Sequence, residues 1–257
     1  MGKSGNMAGE PETKKKCVRL TERDLQMIRW INGHRVATAE QVANKFGLST
    51  PTAKKRLQEL KSLDCLVYEK VFQDRPGVYR AAARGIAVTD DSLPAARLVL
   101  GSYEHDLQLV DLAVSLEHRT GAQWQTDRQI RHEKGLKGVG IPGHSPDGVL
   151  LFPGGARIAV ELELSPKGAG KIEKIFMEYA GSQYQEVWYF VNCDYLAARI
   201  RSAALPLIKV FSWPDLEEYK DMPRPTAAKP LLEPSAFEEE LKTARDFFRR
   251  RGRETGV

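Results

Sequence analysis

Cysteine is scarce in this chain of 257 residues: Cys17, Cys65 and Cys193 are the only three, odd in number and scattered. None belongs to a C-x-x-C pair and none has a histidine at metal-ligand spacing. This excludes a disulfide framework and points to reduced thiols in a cytoplasmic protein. No apolar run approaches the ~18 residues that a membrane span requires, so no membrane association is expected. The first sixteen residues lack the apolar stretch of a signal peptide. They are polar, end in Lys14-Lys15-Lys16, and read as part of a disordered basic tail over 1–18. Internal repeats are also missing. What is present is an ordinary soluble composition, 42% hydrophobic with a net charge of +5, and room for one large or two small domains.

The N-terminal third carries helical periodicity in three short segments. Thr21 is placed to cap a helix over 20–33, with Leu25, Ile28 and Ile31 or Trp30 on one face and Gly33 at its end. Thr38 caps a shorter helix with Val42 and Phe46 inside and Ala43 where a small residue lets helices approach. Gly47-Leu48-Ser49 is a turn. A third helix starts at Thr50 with Pro51, whose missing N–H is not needed in a first turn. Ala53, Leu57 and Leu60 form its inner stripe, and Thr50, Thr52, Lys54, Lys55 and Gln58 lie opposite, with Arg56 alongside. Lysine and arginine neutralise phosphates, while threonine and glutamine can reach base edges. A strand over 66–71, a tip at Asp74-Arg75-Pro76-Gly77 and a return strand over 78–81 follow, and Pro-Gly suits the centre of a type II turn. This is the pattern of a winged helix-turn-helix, expected over 19–92. Double-stranded DNA is its expected partner, with Thr50, Thr52, Lys54, Lys55, Arg56 and Arg75 as contacts. Protein dimerisation, giving a homodimer, is the rival use of such a unit. Asp64 stands where many such units place glycine, and aspartate tolerates the left-handed conformation.

The second half is organised around 145–174. Asp147 opens a short apolar strand (Val149 to Phe152), Pro153-Gly154-Gly155 makes a turn, and a second strand over 157–164 follows. Strand side chains alternate, so Glu161 and Glu163 share one face while Val160, Leu162 and Leu164 share the other. Three carboxylates converging from two strands repel one another unless something positive lies between them, and Mg2+ or Mn2+ suits such oxygen donors.

With Pro146-Asp147 and Glu161-x-Glu163 on a hairpin followed by a helix, this half resembles the PD-(D/E)xK nuclease superfamily. The motif's last letter is normally lysine, and here Glu163 stands in its place; members with an E-x-E pattern include active endonucleases and inactive binding modules. A winged helix followed by such a domain resembles most the plasmid replication-relaxation family, over roughly 20–215. The resemblance implies an α+β or α/β fold, with a mixed sheet flanked by helices over 93–213. It also implies Asp147, Glu161 and Glu163 as catalytic and metal-binding residues. Glu104, His105 and Asp106 cluster where the first helix of that core often offers an acidic residue, so Glu104 and His105 join the candidates. A role in plasmid replication and DNA relaxation, with replication or relaxation proteins as partners, is the family's implication.

The remaining expectations are structural. A short connecting helix is expected over 92–100, and a long amphipathic helix over 103–119 with Leu109, Leu112, Ala113 and Leu116 buried. The basic segment from Arg128 to Lys137 reads as a strand running into a glycine-rich loop. Gly168-Ala169-Gly170-Lys171 is not a phosphate loop, because a glycine is missing at 165 and Ile172 occupies the Ser/Thr position. It starts a helix over 171–184, and Lys167, Lys171 or Lys174 is near enough to supply the lysine absent from the motif. Val187–Val191 is a buried strand, joined through a helix over 195–204 to a parallel strand over 207–211. Residues 214–257 are expected to be a proline-rich linker and a basic helix over 237–253. Three functions fit: a non-cleaving DNA-binding protein, an endonuclease or nickase needing Mg2+ or Mn2+, or a winged-helix transcriptional repressor. Outside the nuclease no cofactor is expected.

Overall fold

In a computed structural model of the chain, residues 19–136, 143–216, 222, 225 and 234–254 are described. The basic tail with Cys17, the glycine-rich segment around 137–142 and most of the proline-rich linker lie outside them. Among the described residues the architecture is mixed α+β, with nine α-helices and two sheets, of three and five strands.

The first sheet belongs to the N-terminal unit. Helix α1 (Glu22–Gly33) is opened by a reciprocal capping box: the Thr21 amide donates to Asp24 Oδ2 at 2.7 Å and the Asp24 amide to the Thr21 hydroxyl at 3.4 Å. Strand β1 (Ala37–Thr38) leads into α2 (Ala39–Phe46), where Thr38 and Gln41 repeat the same device. Ser49 caps α3 (Thr50–Ser62), with Pro51 in its first turn. Met27, Ile28, Ile31, Val42, Ala43, Ala53, Leu57 and Leu60 form one core, and Met27, not Leu25, is the innermost residue of α1's first turns. Asp64 takes the left-handed conformation (φ 55°). Strands β2 (Leu66–Glu69) and β3 (Val78–Ala81) then pair antiparallel, with β1 on the far side of β3. The first strand ends two residues earlier than its apolar pattern suggests.

Two corrections follow from packing. A helix, α4 (Ala83–Thr89), lies where none was expected, while 92–99 has no helix. Pro94 disfavours helical geometry at Leu93, and Asn32 holds this stretch extended by donating to the Leu93 carbonyl and accepting from the Ala96 amide. In α4, Gly85 lies against the Cys65 carbonyl so closely that a Cβ would stand 2.1 Å from the oxygen.

The larger sheet has the order β4-β5-β6-β7-β8. Helix α5 (Tyr103–Thr120) precedes β4 (Gln123–Thr126). The basic segment after it is a helix, α6 (Asp127–Leu136), not the expected strand. Its cause is local: the Thr126 amide donates to Gln129 Oε1 at 2.8 Å and the Gln129 amide to the Thr126 hydroxyl at 3.3 Å, a third capping box. Strands β5 (Gly148–Leu151) and β6 (Arg157–Glu163) form the acidic hairpin, antiparallel to each other, and β5 also pairs antiparallel with β4. Helix α7 (Ala169–Ala180) crosses to β7 (Glu186–Val191), and α8 (Asp194–Ala203) crosses to β8 (Ile208–Ser212), both strands parallel to β6.

Alternation divides this sheet. Ile158, Val160 and Leu162 of β6 join Trp188 and Phe190 against Leu112 and Leu116 of α5. Ala159 joins Val187, Tyr189 and Val191 against α7, α8 and Ala244 of the last helix, α9 (Pro234–Glu254). No helix among the described residues is long and apolar enough to cross a membrane.

The two units are joined by polar contacts. Gln41 Nε2 donates to the Leu107 carbonyl at 2.9 Å, and Lys45 pairs with Glu117 at 2.5 Å. Arg128 donates to Asn32 and to the Pro94 carbonyl. Val36, Val78 and Tyr103 add a small shared apolar cluster.

Candidate functional site

Strand β6 runs three residues past its last pairing with β5, at Val160. Gly148 is Val160's partner, which sets Asp147 opposite Glu161. The Leu162 backbone beyond β5 would be an open edge, and two expected site residues close it. The Leu162 amide donates to Asp147 Oδ2 at 2.9 Å, and the Leu162 carbonyl lies 3.1 Å from His105 Nε2. His105 Nε2 is also 3.3 Å from Asp147 Oδ2. Helix α5 thus reaches across the strand end to the acidic hairpin through His105.

Glu161 points to the other face, among α7 side chains, and is 2% exposed. Isolated burial of a carboxylate is costly, and two donors converge on its Oε1: His144 Nε2 at 2.6 Å and the Tyr179 hydroxyl. Glu163 lies on the same face and pairs with Lys167 at 2.5 Å. Of the three lysines expected near the motif, Lys167 is the one that reaches the acids; Lys171 and Lys174 are exposed.

The electrostatics follow these contacts. Burial and the nearby Asp147 charge push the Glu161 carboxyl above its ordinary range, against the pull of His144 and Lys167. Burial would raise Asp147 too, but the hydrogen bond and charge of His105, the Leu162 amide and Lys167 outweigh it and lower its pKa. Burial would lower the two imidazoles, yet Asp147 raises His105 and Glu161 raises His144. Lys167 is likewise raised, the surrounding carboxylates overcoming its desolvation. Burial and the Glu161 charge push the Tyr179 hydroxyl well above its usual value, so it stays a donor.

Oxygen donors of Asp147, Glu161 and Glu163 are the right type for Mg2+ or Mn2+. Their arrangement does not fit that ion: each carboxylate is held by its own internal partner, and no three His, Cys, Asp or Glu side chains among the described residues are grouped to hold a metal. Glu104 stands apart from them, half-exposed and ion-paired with Arg75.

On α3, Thr50, Thr52, Lys54, Lys55 and Gln58 are exposed. Arg56, expected beside them, turns inward. Its Nε and Nη2 donate to the two oxygens of buried Asp24 at 2.7 and 2.5 Å, and Nη1 donates to Glu59 at 2.6 Å. Arg75, at the tip between β2 and β3, reaches Glu104 of α5.

Sequence reasoning passed over His144, Tyr179 and Arg35. His144 was visible three residues before Asp147. Tyr179 had no local signal, because its hydroxyl meets Glu161 only once α7 packs on the sheet. Arg35 has a positive φ of 70°, unusual for a residue other than glycine. Its guanidinium lies 3.5 Å from Asp106 and 3.6 Å from Asp127, beside a cleft of about 290 Å³ that also touches His105 and Asp147. Comparison with protein-family models, with curated proteins and with solved structures finds no match for the chain.

Proposed function

We propose that this chain is a duplex-DNA-binding protein. Its N-terminal unit acts as a winged helix with α3 as the reading helix, and its second unit is a PD-(D/E)xK-like domain used for binding, not cleavage. The observation that carries the reading is the exposed face of α3, where Lys54 and Lys55 stand beside Thr50, Thr52 and Gln58 while the helix is anchored from behind by Arg56. Cations on that face suit phosphates, and the threonines and glutamine suit base edges. The internal neutralisation of Asp147, Glu161 and Glu163 supports a non-cleaving second unit. The resemblance to the replication-relaxation family adds the setting, plasmid or mobile-element replication, with its protein machinery as the further partner.

The test is a salt titration of duplex binding. Lys54→Ala with Lys55→Ala weakens affinity and lowers the log–log salt slope by about 1.8, at about 0.9 per lost phosphate contact. Both side chains are exposed, so the far-ultraviolet circular dichroism stays the same. An unchanged slope removes α3 from the interface and with it this reading.

One observation favours a second reading, a nuclease dependent on Mg2+ or Mn2+. Lys167 places an ammonium beside Glu163, where it stands in for the lysine absent from the motif. Such a nuclease would have to exchange the internal partners of Glu161 and Asp147 for the ion. Nicking of supercoiled plasmid with either metal, abolished by Asp147→Ala and by Glu161→Ala with DNA binding intact, would replace the first reading with the second.

A further inference from the structure

One cavity lies away from α3, lined by residues of α6, α7 and α9. It is about 670 Å³, within the ~300–1,000 Å³ usual for small-molecule sites. Three helices bring one cation each to its wall: Lys134 from α6, Lys174 from α7 and Arg245 from α9. None of the three is ion-paired among the described residues, unlike Arg56, Arg75 and Lys167. Glu178 is the one acid among the described lining residues, and its carboxylate already accepts the His144 amide. Met177, Leu241 and the Tyr184 ring give the wall an apolar and aromatic stretch, beside the polar Ser182 and Gln183. An unbalanced set of cations beside apolar surface matches a ligand with a phosphate at one end and a flat, weakly polar body at the other.

We propose that this cavity binds a nucleotide, either free or as one unit of a single strand. Lys134, Lys174 and Arg245 hold its phosphate, and the Met177, Tyr184 and Leu241 wall takes its base. Bases bind such walls without sequence readout, because every base has an apolar face. His144 belongs to the same wall and donates through Nε2 to Glu161, so an occupant lies one side chain away from the acidic hairpin. The site is separate from α3 and does not depend on the duplex-binding reading.

The test uses the full chain and fluorescence anisotropy of a short labelled single-stranded oligonucleotide, with deoxyadenosine monophosphate as competitor. Lys174→Ala with Arg245→Ala, at two exposed positions, weakens oligonucleotide binding about tenfold or more. The same pair lowers its salt slope by about 1.4, at about 0.7 per single-strand phosphate contact, and leaves duplex binding through α3 in place. Lys54→Ala with Lys55→Ala does the reverse. Competition by the monophosphate assigns the cavity to free nucleotides, and strand binding without competition assigns it to a strand; either supports the proposal. It is overturned if neither probe binds, if the Lys174 and Arg245 variant binds like the wild type, or if the Lys54 and Lys55 variant loses oligonucleotide affinity equally.

Discussion

Arg56→Ala separates a strut from a DNA contact. The guanidinium makes two charge-assisted hydrogen bonds to Asp24, one to Glu59 and one to the Arg19 carbonyl. Asp24 is 1% exposed and Arg56 21%. Removing one partner of a fully buried ion pair costs about 3–5 kcal/mol. Here Asp24 keeps the Thr21 amide and hydroxyl, at 2.7 and 2.6 Å, and water can enter where Arg56 stood. The expected cost therefore falls below that range, to about 2–3 kcal/mol. Native-state hydrogen exchange over α1 and α3 reads this as amide exchange about 30- to 150-fold faster, at 1.4 kcal/mol per tenfold. The pH dependence has a definite sign. Burial would raise the Asp24 carboxyl, but Arg56 and Thr21 outweigh it and lower its pKa. Its contribution is present above the ordinary carboxylate value near ~3.9 and is lost as pH falls through the depressed one. The difference between Arg56→Ala and wild type therefore shrinks in acid. Unchanged exchange together with weakened duplex binding would refute the reasoning and return Arg56 to the DNA interface.

Three further outcomes are expected. Gly85→Ala drives a methyl into the Cys65 carbonyl and destabilises the N-terminal unit by about 2 kcal/mol or more, read by chemical denaturation; a variant as stable as wild type would mean that α4 shifts freely. His105 and His144 both have raised folded pKa values, so their stabilisation is full below the ordinary ~6.5 and is lost as pH rises through the raised values. Thermal melts of wild type should fall over that window, and His105→Asn with His144→Asn should flatten the fall; parallel profiles would disprove it. Lys167→Met leaves Glu163, 8% exposed on its side chain, without its cation and costs about 1–3 kcal/mol of stability, whereas Lys167→Arg retains most of it.

Much of the fold was readable because its signals are short-range. Thr21, Thr38 and Pro51 mark helix starts within one turn. Ala53, Leu57 and Leu60 repeat at the helical period, and alternation through Val160, Glu161, Leu162 and Glu163 assigns each side chain a face. The Thr126-x-x-Gln129 box was equally local and marked α6, but the basic composition of the segment obscured it. Pro94 likewise argued against a helix over 92–100.

Which side chain meets which acid was beyond any such pattern. Composition and spacing grouped Arg56 with the exposed Lys54 and Lys55, and nothing local says that Asp24, thirty-two positions earlier, turns it inward. Arg75 and Glu104 were assigned to different sites and are partners. Glu161's neighbours, His144 and Tyr179, come from a loop and a helix on either side of it in the chain. A helix or strand follows from backbone preferences and burial repeating every few residues, so the sequence carries it openly. An ion pair follows from long, rotatable side chains that can each reach many places, and only the packing of distant elements to within about 3 Å selects the one that is made.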